Sequence, residues 1–267
     1  MVTLKSPREI ELMRRSGRIT AQVLSDLMKL ARPGMATSEL DRAAEEGIRR
    51  GGGLPTFKGY NGFPASICAS VNDEVVHGIP GPRVLRDGDL LSIDIGTTLE
   101  GYVSDSAVTV PVGTISPEAQ RLLDVTRECL TIGIEQMQSG NHVGDIGAAV
   151  QEHAERQGYG VVRELVGHGV GRAMHEEPQV PNFGTRGTGI ELRPGLVLAI
   201  EPMITERGPK VRILDDGWTV VTADGKLAAH FEHTIAVTDA GPKILTLRDY
   251  AEDPQLERYR PVREAIA

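Results

Sequence analysis

The 267-residue chain reads as an α+β protein made of two related halves. Amphipathic helical stretches alternate with short apolar runs in irregular order, which suits α+β better than a doubly wound parallel sheet. Glycine is abundant, 31 of 267 residues, or about 12% against an average near 7%, as turns and close backbone approaches require. The chain also repeats a helix-then-strand pattern at an offset of 106 to 107 residues.

From the N-terminus, Pro7 opens a helix over residues 7–31, with Ile10, Met13, Ile19, Val23, Leu24 and Leu27 at three- and four-residue steps and Arg32-Pro33-Gly34 as its stop. A second helix is expected over about 38–50, with Ser38 as N-cap and Gly51-Gly52-Gly53 after it. Residues 90–95 and 102–110, separated by Gly96–Gly101, form an antiparallel hairpin. The run from Ser139 to Ile146 leads into a helix over residues 148–156 that stops at Gly158. Strands over 196–203, 218–222 and 230–237 complete the second half. The repeat aligns Gly34 with Gly140, Leu40 with Ile146 and Gly52 with Gly158, then Leu85, Arg86, Gly88, Leu91 and Ile93 with Leu192, Arg193, Gly195, Leu198 and Ile200. Asp94 thereby becomes the counterpart of Glu201. A single domain is expected over 1–267, with the repeat at about 5–112 and 113–248 and a polar tail over 249–267.

Composition narrows the function. A net charge of −8 argues against nucleic acid as a specific ligand, because that binding rests on neutralising phosphates. Cys68 and Cys129 are too few for a disulfide framework or a thiolate metal cage. No secretory signal and no run of about 18 apolar residues is present, so a cytoplasmic protein with no membrane association is expected; a monomer is expected separately. Lys5, Arg8, Arg14, Arg15 and Arg18 offer a contact to ribosomal RNA or, more simply, a solvated helix face.

Five polar residues interrupt runs that should be buried: Asp94, Asp105, His168, Glu201 and Glu232. One carboxylate on a strand is commonly solvated, but four together, two of them on repeated strands, need counter-charge, and divalent ions would supply it. If the hairpin closes around Gly96–Gly101, Asp94 and Asp105 face each other across the strand pair, about 4.5–5.5 Å apart at Cβ. Four carboxylates are too negative for one ion and suit two, and the oxygen-rich set favours Mn(II), Fe(II), Co(II) or Zn(II). Glycines on both sides of His168 would let backbone and metal approach closely. His142, His153, His230 and His233 have no such context and read as surface or core polar residues. HExxH, GxSxG and phosphate-loop patterns are absent.

The ordered set His77, Asp94, Asp105, His168, His175, Glu201 and Glu232 resembles that of the type I methionine aminopeptidases, members of the pita-bread metallopeptidases. The matching motifs are Gly59-Tyr60-Asn61-Gly62-Phe63-Pro64, Val71-Asn72 through His77-Gly78-Ile79-Pro80, Asp94-Ile95-Gly96, His168-Gly169-Val170-Gly171 with His175-Glu176-Glu177-Pro178, Ala199-Ile200-Glu201-Pro202 and Phe231-Glu232-His233-Thr234. The resemblance spans roughly residues 5–248. It implies a pseudo-twofold pair of αβ halves around a curved antiparallel sheet, and removal of the N-terminal methionine from nascent polypeptides, with a small second residue preferred. It implies two divalent ions (Co, Mn, Fe or Zn) on Asp94, Asp105, His168, Glu201 and Glu232, with Asp105 and Glu232 bridging and Glu201 also the general base. His175 would stabilise the oxyanion and His77 would contact the scissile amide nitrogen. Phe57, Tyr60, Phe63, Cys68, Met174 and Trp218 would line the methionine pocket, although the family often has Cys at the position of Phe57 and Phe at that of Met174. A monovalent cation would sit near Asn72, although Ala228 stands where a serine often helps. Related X-Pro exopeptidases and non-catalytic pita-bread proteins are the alternatives, and intact ligands argue against the second.

Overall fold

The computed structural model describes residues 2–248 and 254–259. Helix α1 runs Pro7–Leu30, as its periodicity predicts. The Ser6 hydroxyl accepts the Glu9 N–H and the Glu9 carboxylate accepts the Ser6 N–H, while Pro7 occupies the first turn, where no donor is required. Its face of Ile10, Met13, Leu24 and Leu27 is buried. Gly17 lies where a Cβ would stand 2.2 Å from the Leu245 carbonyl oxygen, so the helix touches the C-terminal part of the chain directly.

Helix α2 spans Thr37–Arg50 and α4 spans Val143–Arg156, with α3 at Pro117–Glu135 between them. Both α2 and α4 start earlier than expected, and Ser38 lies inside α2 rather than capping it. The reason is the same in both halves. Ala36 bridges Val84 and His142 bridges Glu191, so the chain is extended up to that residue and turns helical at once. Glu39 and Asp145, three residues on, accept the N–H of Ala36 and His142 at 2.9 and 2.7 Å. The two helices have 14 residues each. Gly34 and Gly140, at φ 90° and 91°, open the matched turns, where L side chains are strained. The repeat read from the sequence is thus a repeat in space.

The first half contains β1 (Leu54–Pro55), β2 (Ile67–Val71), β3 (Glu74–Val76), β4 (Leu90–Leu99) and β5 (Tyr102–Pro111). Strand β4 carries β5 on one edge and β1 and β2 on the other, all antiparallel. The β4–β5 turn is Glu100-Gly101, both at positive φ, so Gly96–Leu99 belong to β4 instead of to a loop. The register follows from that tight turn. Asp94 opposes Ala107, and Asp105 opposes Gly96. The two aspartates are therefore diagonal neighbours on one face rather than a directly opposed pair.

The second half contains β6 (Gly160–Val161), β7 (Gly167–Gly169), β8 (Glu176–Val180), β9 (Val197–Ile200), β10 (Met203–Thr205), β11 (Val211–Ile213), β12 (Val220–Thr222), β13 (Ala228–His230), β14 (His233–Thr238) and β15 (Gly241–Ile244). They form a sheet in the order β15-β14-β9-β7-β8 and two three-stranded sheets, β13-β10-β6 and β11-β12-β3. The expected strands 196–203 and 230–237 are each broken, at Glu201-Pro202 and at Phe231-Glu232. Ile200 pairs with His233 and Met203 with His230, so the breaks lie opposite each other. Proline has no N–H for a ladder, which ends pairing there. The tail falls largely outside the described residues; Pro254–Tyr259 form a 3-10 helix whose Leu256 is buried and whose Arg258 pairs with Glu135.

Candidate active site and metal centre

The site lies where the two halves meet. Strand β5 runs along the broken β13–β14 segment. The Ala107 and Glu232 backbones exchange hydrogen bonds, the Thr234 hydroxyl donates to the Asp105 carbonyl at 2.8 Å, and Asp105 N–H donates to that hydroxyl at 2.9 Å. The Ser106 hydroxyl donates to the Glu232 carbonyl at 2.8 Å. This seam fixes Asp105 beside Glu232, residues 127 apart in sequence.

A cavity of about 200 Å³ opens there, and all thirteen side chains singled out from the sequence line it: the five expected ligands, His77 and His175, and Phe57, Tyr60, Phe63, Cys68, Met174 and Trp218. One atom each of Asp105, His168 and Glu232 lies within 4.8 Å of the others. His168 Nε2 is 3.8 Å from Asp105 Oδ2 and 3.5 Å from Glu201 Oε1. Its Nδ1 lies 2.9 Å from the Gly169 carbonyl, which must accept, so the proton sits on Nδ1 and the bare Nε2 faces the carboxylates. Asp94 and Glu201 stand around this triple and do not join its tightest grouping.

The glycines flanking His168 serve neighbouring backbone. A Cβ on Gly167 would lie 2.5 Å from the Ala199 carbonyl oxygen, and one on Gly169 2.4 Å from that of Glu177. They let β8 and β9 close on β7, the close backbone approach expected of them.

Electrostatics fit a cation-binding centre. Burial pushes Asp94 up to about 6 and Glu201 up to about 8. Burial, followed by neighbouring carboxylates, carries Asp105 and Glu232 well above the usual range. Among the described residues, no Lys or Arg lines the cavity. Asp94 Oδ1, Asp105 Oδ1 and Glu232 Oε1 are sealed from water without a hydrogen-bond partner. Orphaned acceptors of this kind are expensive unless a cation satisfies them. Four carboxylates and one bare imidazole nitrogen are donors that suit divalent ions.

His77 has φ 61°, an uncommon backbone state for a non-glycine residue and one that clusters at functional sites. Gly78 follows because a Cβ there would meet the Ala69 carbonyl oxygen at 2.6 Å. Burial first, then the His230 and His175 rings, hold the His77 imidazole down at about 4. His168 is likewise held at about 4 by burial and then His175. His175 stands at the mouth, its ring centroid 4.2 Å from that of His168, with the Tyr60 hydroxyl 2.7 Å from its Nδ1. Phe63 and His77 both meet the Trp218 ring edge-on, at 5.1 and 6.3 Å.

Lys5 does not belong to a basic surface patch. Its side chain is 3% exposed and pairs with Glu176 at 2.7 Å. Glu176 also accepts the N–H groups of Arg172 and Ala173, pinning the turn that carries Met174 and His175. Arg14 pairs with Glu11 and Arg15 with Glu100, which breaks up the cluster further. Asn72 uses its side chain as a brace, donating to Asp89 and accepting the Leu90 N–H, both at 2.9 Å. His142 caps α4, and His153 lies 2.8 Å from Glu128. His230 is buried, as a core polar residue would be, but it also lies at the site, which the sequence reading missed, with Nε2 3.5 Å from Glu201 Oε2. No local pattern marked it, because the strand that His230 ends breaks at Phe231-Glu232 before Glu232 is reached.

Comparison with known proteins agrees with this geometry. A methionine aminopeptidase 1 from Bacillus subtilis (strain 168) is 53% identical over 246 residues, which are 92% of this chain and 99% of that protein. The crystal structure of a methionine aminopeptidase from Thermotoga maritima superposes with a TM-score of 0.91 at 43% identity, covering 93% of this chain and 100% of that one. A prolidase from Pyrococcus furiosus shares the fold at a TM-score of 0.76 and 21% identity, covering 92% of this chain and 66% of that one. The family model described as Metallopeptidase family M24 matches residues 11–239, which contain every carboxylate and imidazole of the cavity. With its cation-seeking carboxylates, its two-half architecture and these relatives in agreement, this chain belongs to metallopeptidase family M24.

Proposed function

We infer that the protein is a metal-dependent aminopeptidase that removes the N-terminal methionine from polypeptides. One observation carries this reading: an apolar recess built from Phe57, Phe63, Cys68, Met174 and Trp218 opens directly onto the carboxylate–imidazole cluster. The whole cavity, recess and cluster together, is about 200 Å³, below the roughly 300–1,000 Å³ of drug-sized pockets, and so suits one small apolar side chain beside the cluster. A thioether chain adapts well to aromatic walls.

Two divalent ions held by Asp94, Asp105, His168, Glu201 and Glu232 would lower the pKa of water and polarise the scissile carbonyl. The protein groups divide the remaining work. The recess takes the methionine side chain and sets the scissile bond over the cluster. Glu201, a carboxylate whose burial raises its affinity for a proton, takes the proton from the attacking water at an Oε atom. With the Tyr60 hydroxyl, 2.7 Å from Nδ1, as the donor, His175 would carry its own N–H on Nε2 and donate it to the developing oxyanion. His77, neutral and fixed against Trp218, can accept from or donate to the leaving amide nitrogen. The substrates proposed are nascent chains with a small second residue, met in the cytoplasm near the ribosome. No helix among the described residues is long and apolar enough to cross a membrane.

The test is release of free methionine from Met-Ala-Ser, beside Leu-Ala-Ser and Ala-Pro-Ala, with metal-stripped protein titrated anaerobically with Mn(II), Co(II) and Fe(II). Methionine release that needs metal and stops with chelator is expected. Cleavage confined to the proline peptide would move the protein to the dipeptidase relatives, and silence with every metal would remove the enzymatic reading.

A further inference from the structure

Glu201 lies between two imidazoles. His168 Nε2 is 3.5 Å from Oε1 and His230 Nε2 is 3.5 Å from Oε2. The two contacts differ in kind. The His168 proton is committed to the Gly169 carbonyl, so its Nε2 cannot donate to Glu201. His230 carries no such commitment. Its side chain is 2% exposed with both ring nitrogens lacking a hydrogen-bond partner, a costly state for a buried polar group. Its backbone is locked, the N–H donating to the Thr109 hydroxyl at 2.8 Å and the carbonyl accepting from it at 2.9 Å. That lock, at the end of β13 just before the chain breaks, directs the ring toward Glu201. His230 does not line the substrate cavity.

We propose that His230 is a positioning residue for Glu201, its Nε2–H donating to Oε2 so that Oε1 stays turned toward the His168 side of the site. Without that donor the Glu201 carboxylate can rotate between equivalent arrangements, and the oxygen that must face the reacting water is no longer fixed. This rests on the methionine-removing reading for its consequence in turnover, and on the geometry alone for its consequence in ligand arrangement.

The experiment compares the parent protein with His230→Ala and His230→Gln, the glutamine amide restoring an N–H donor. Calorimetry with Mn(II) counts the ions bound, the visible absorption of the Co(II)-loaded protein reads coordination geometry, and kcat and KM are measured on Met-Ala-Ser. For His230→Ala the expected result is an unchanged ion count, Mn(II) affinity within about threefold, a shifted Co(II) spectrum, and kcat lowered at least 20-fold with KM within twofold. His230→Gln should bring back the parent spectrum and most of the lost kcat. If alanine leaves the chain unfolded, His230→Leu fills the space without a donor and takes its place. Loss of an ion, or affinity weakened more than tenfold without rescue by glutamine, would make His230 a ligand and overturn the proposal. So would a parent-like spectrum in His230→Ala. A parent protein that releases no methionine would sink the functional reading while the calorimetry and spectrum still decide this one.

Discussion

Glu201 illustrates how burial and function oppose each other at a single residue. In the metal-free protein its carboxyl is pushed to about 8 and that of Asp94 to about 6 by burial. The unfolded chain ionises both near 4, so the folded state holds protons that the unfolded state has released. Stability is therefore undiminished below pH 4 as far as these groups are concerned, and falls as pH rises toward 8. The melting temperature of chelated protein should drop between pH 5 and pH 8, while Mn(II)-loaded protein, whose carboxylates are charge-compensated, should change little; parallel curves would show that the cluster is not the cause. Glu201→Gln keeps the shape and removes the proton acceptor. It should lower kcat by about 10²–10⁴ with the circular dichroism unchanged, and near-normal turnover would take Glu201 out of the mechanism. Each of the five expected ligands was visible in the sequence as a polar residue in an apolar run. His230 was not, because nothing local marks which buried histidine ends beside a carboxylate.

The turn from Gly171 to Glu176 gives the corresponding lesson for an element. Lys5, ahead of α1, reaches across to Glu176, and Glu176 gathers two N–H groups of the turn that presents Met174 and His175. The ammonium is nearly sealed from solvent, so its loss leaves Glu176 uncompensated. Lys5→Met should destabilise the fold by about 3 kcal/mol, read as a lower urea midpoint. It should also raise KM for Met-Ala-Ser, since Met174 of the recess wall and His175 share that turn; an unaltered midpoint would sink the argument. Helix α1 was legible from its apolar periodicity. The β4–β5 register was not, because the sequence leaves open whether Gly96 begins a loop or continues the strand, and only the Glu100-Gly101 turn decides it.

For the whole molecule, the decisive feature is the seam between the halves. Asp94 and Asp105 come from one half, and His168, Glu201 and Glu232 from the other, so the cluster exists only when β5 lies against β13 and β14. Thr234 ties that seam through two hydrogen bonds to the Asp105 backbone. Thr234→Val keeps the shape and leaves a buried N–H and carbonyl unmatched, which should cost about 1–3 kcal/mol. Mn(II) affinity should weaken with it, because Asp105 would no longer be held beside Glu232. Calorimetry on the variant checks this, and parent-like affinity would show that the seam does not position the ligands.

The sequence by itself determined the α+β class, the helix cores, the matched turns of the two halves and the five polar residues that interrupt apolar runs, because these are local signals set by burial and backbone sterics; His77, His175 and the apolar lining of the cavity were reached only through the family resemblance. The tertiary structure alone decided that Asp94 and Asp105 are diagonal neighbours, that the strands break at Glu201-Pro202 and Phe231-Glu232, that Lys5 is buried, and that His230 faces Glu201. These depend on strand register and on contacts between residues well separated in sequence, which no local pattern of residue types encodes.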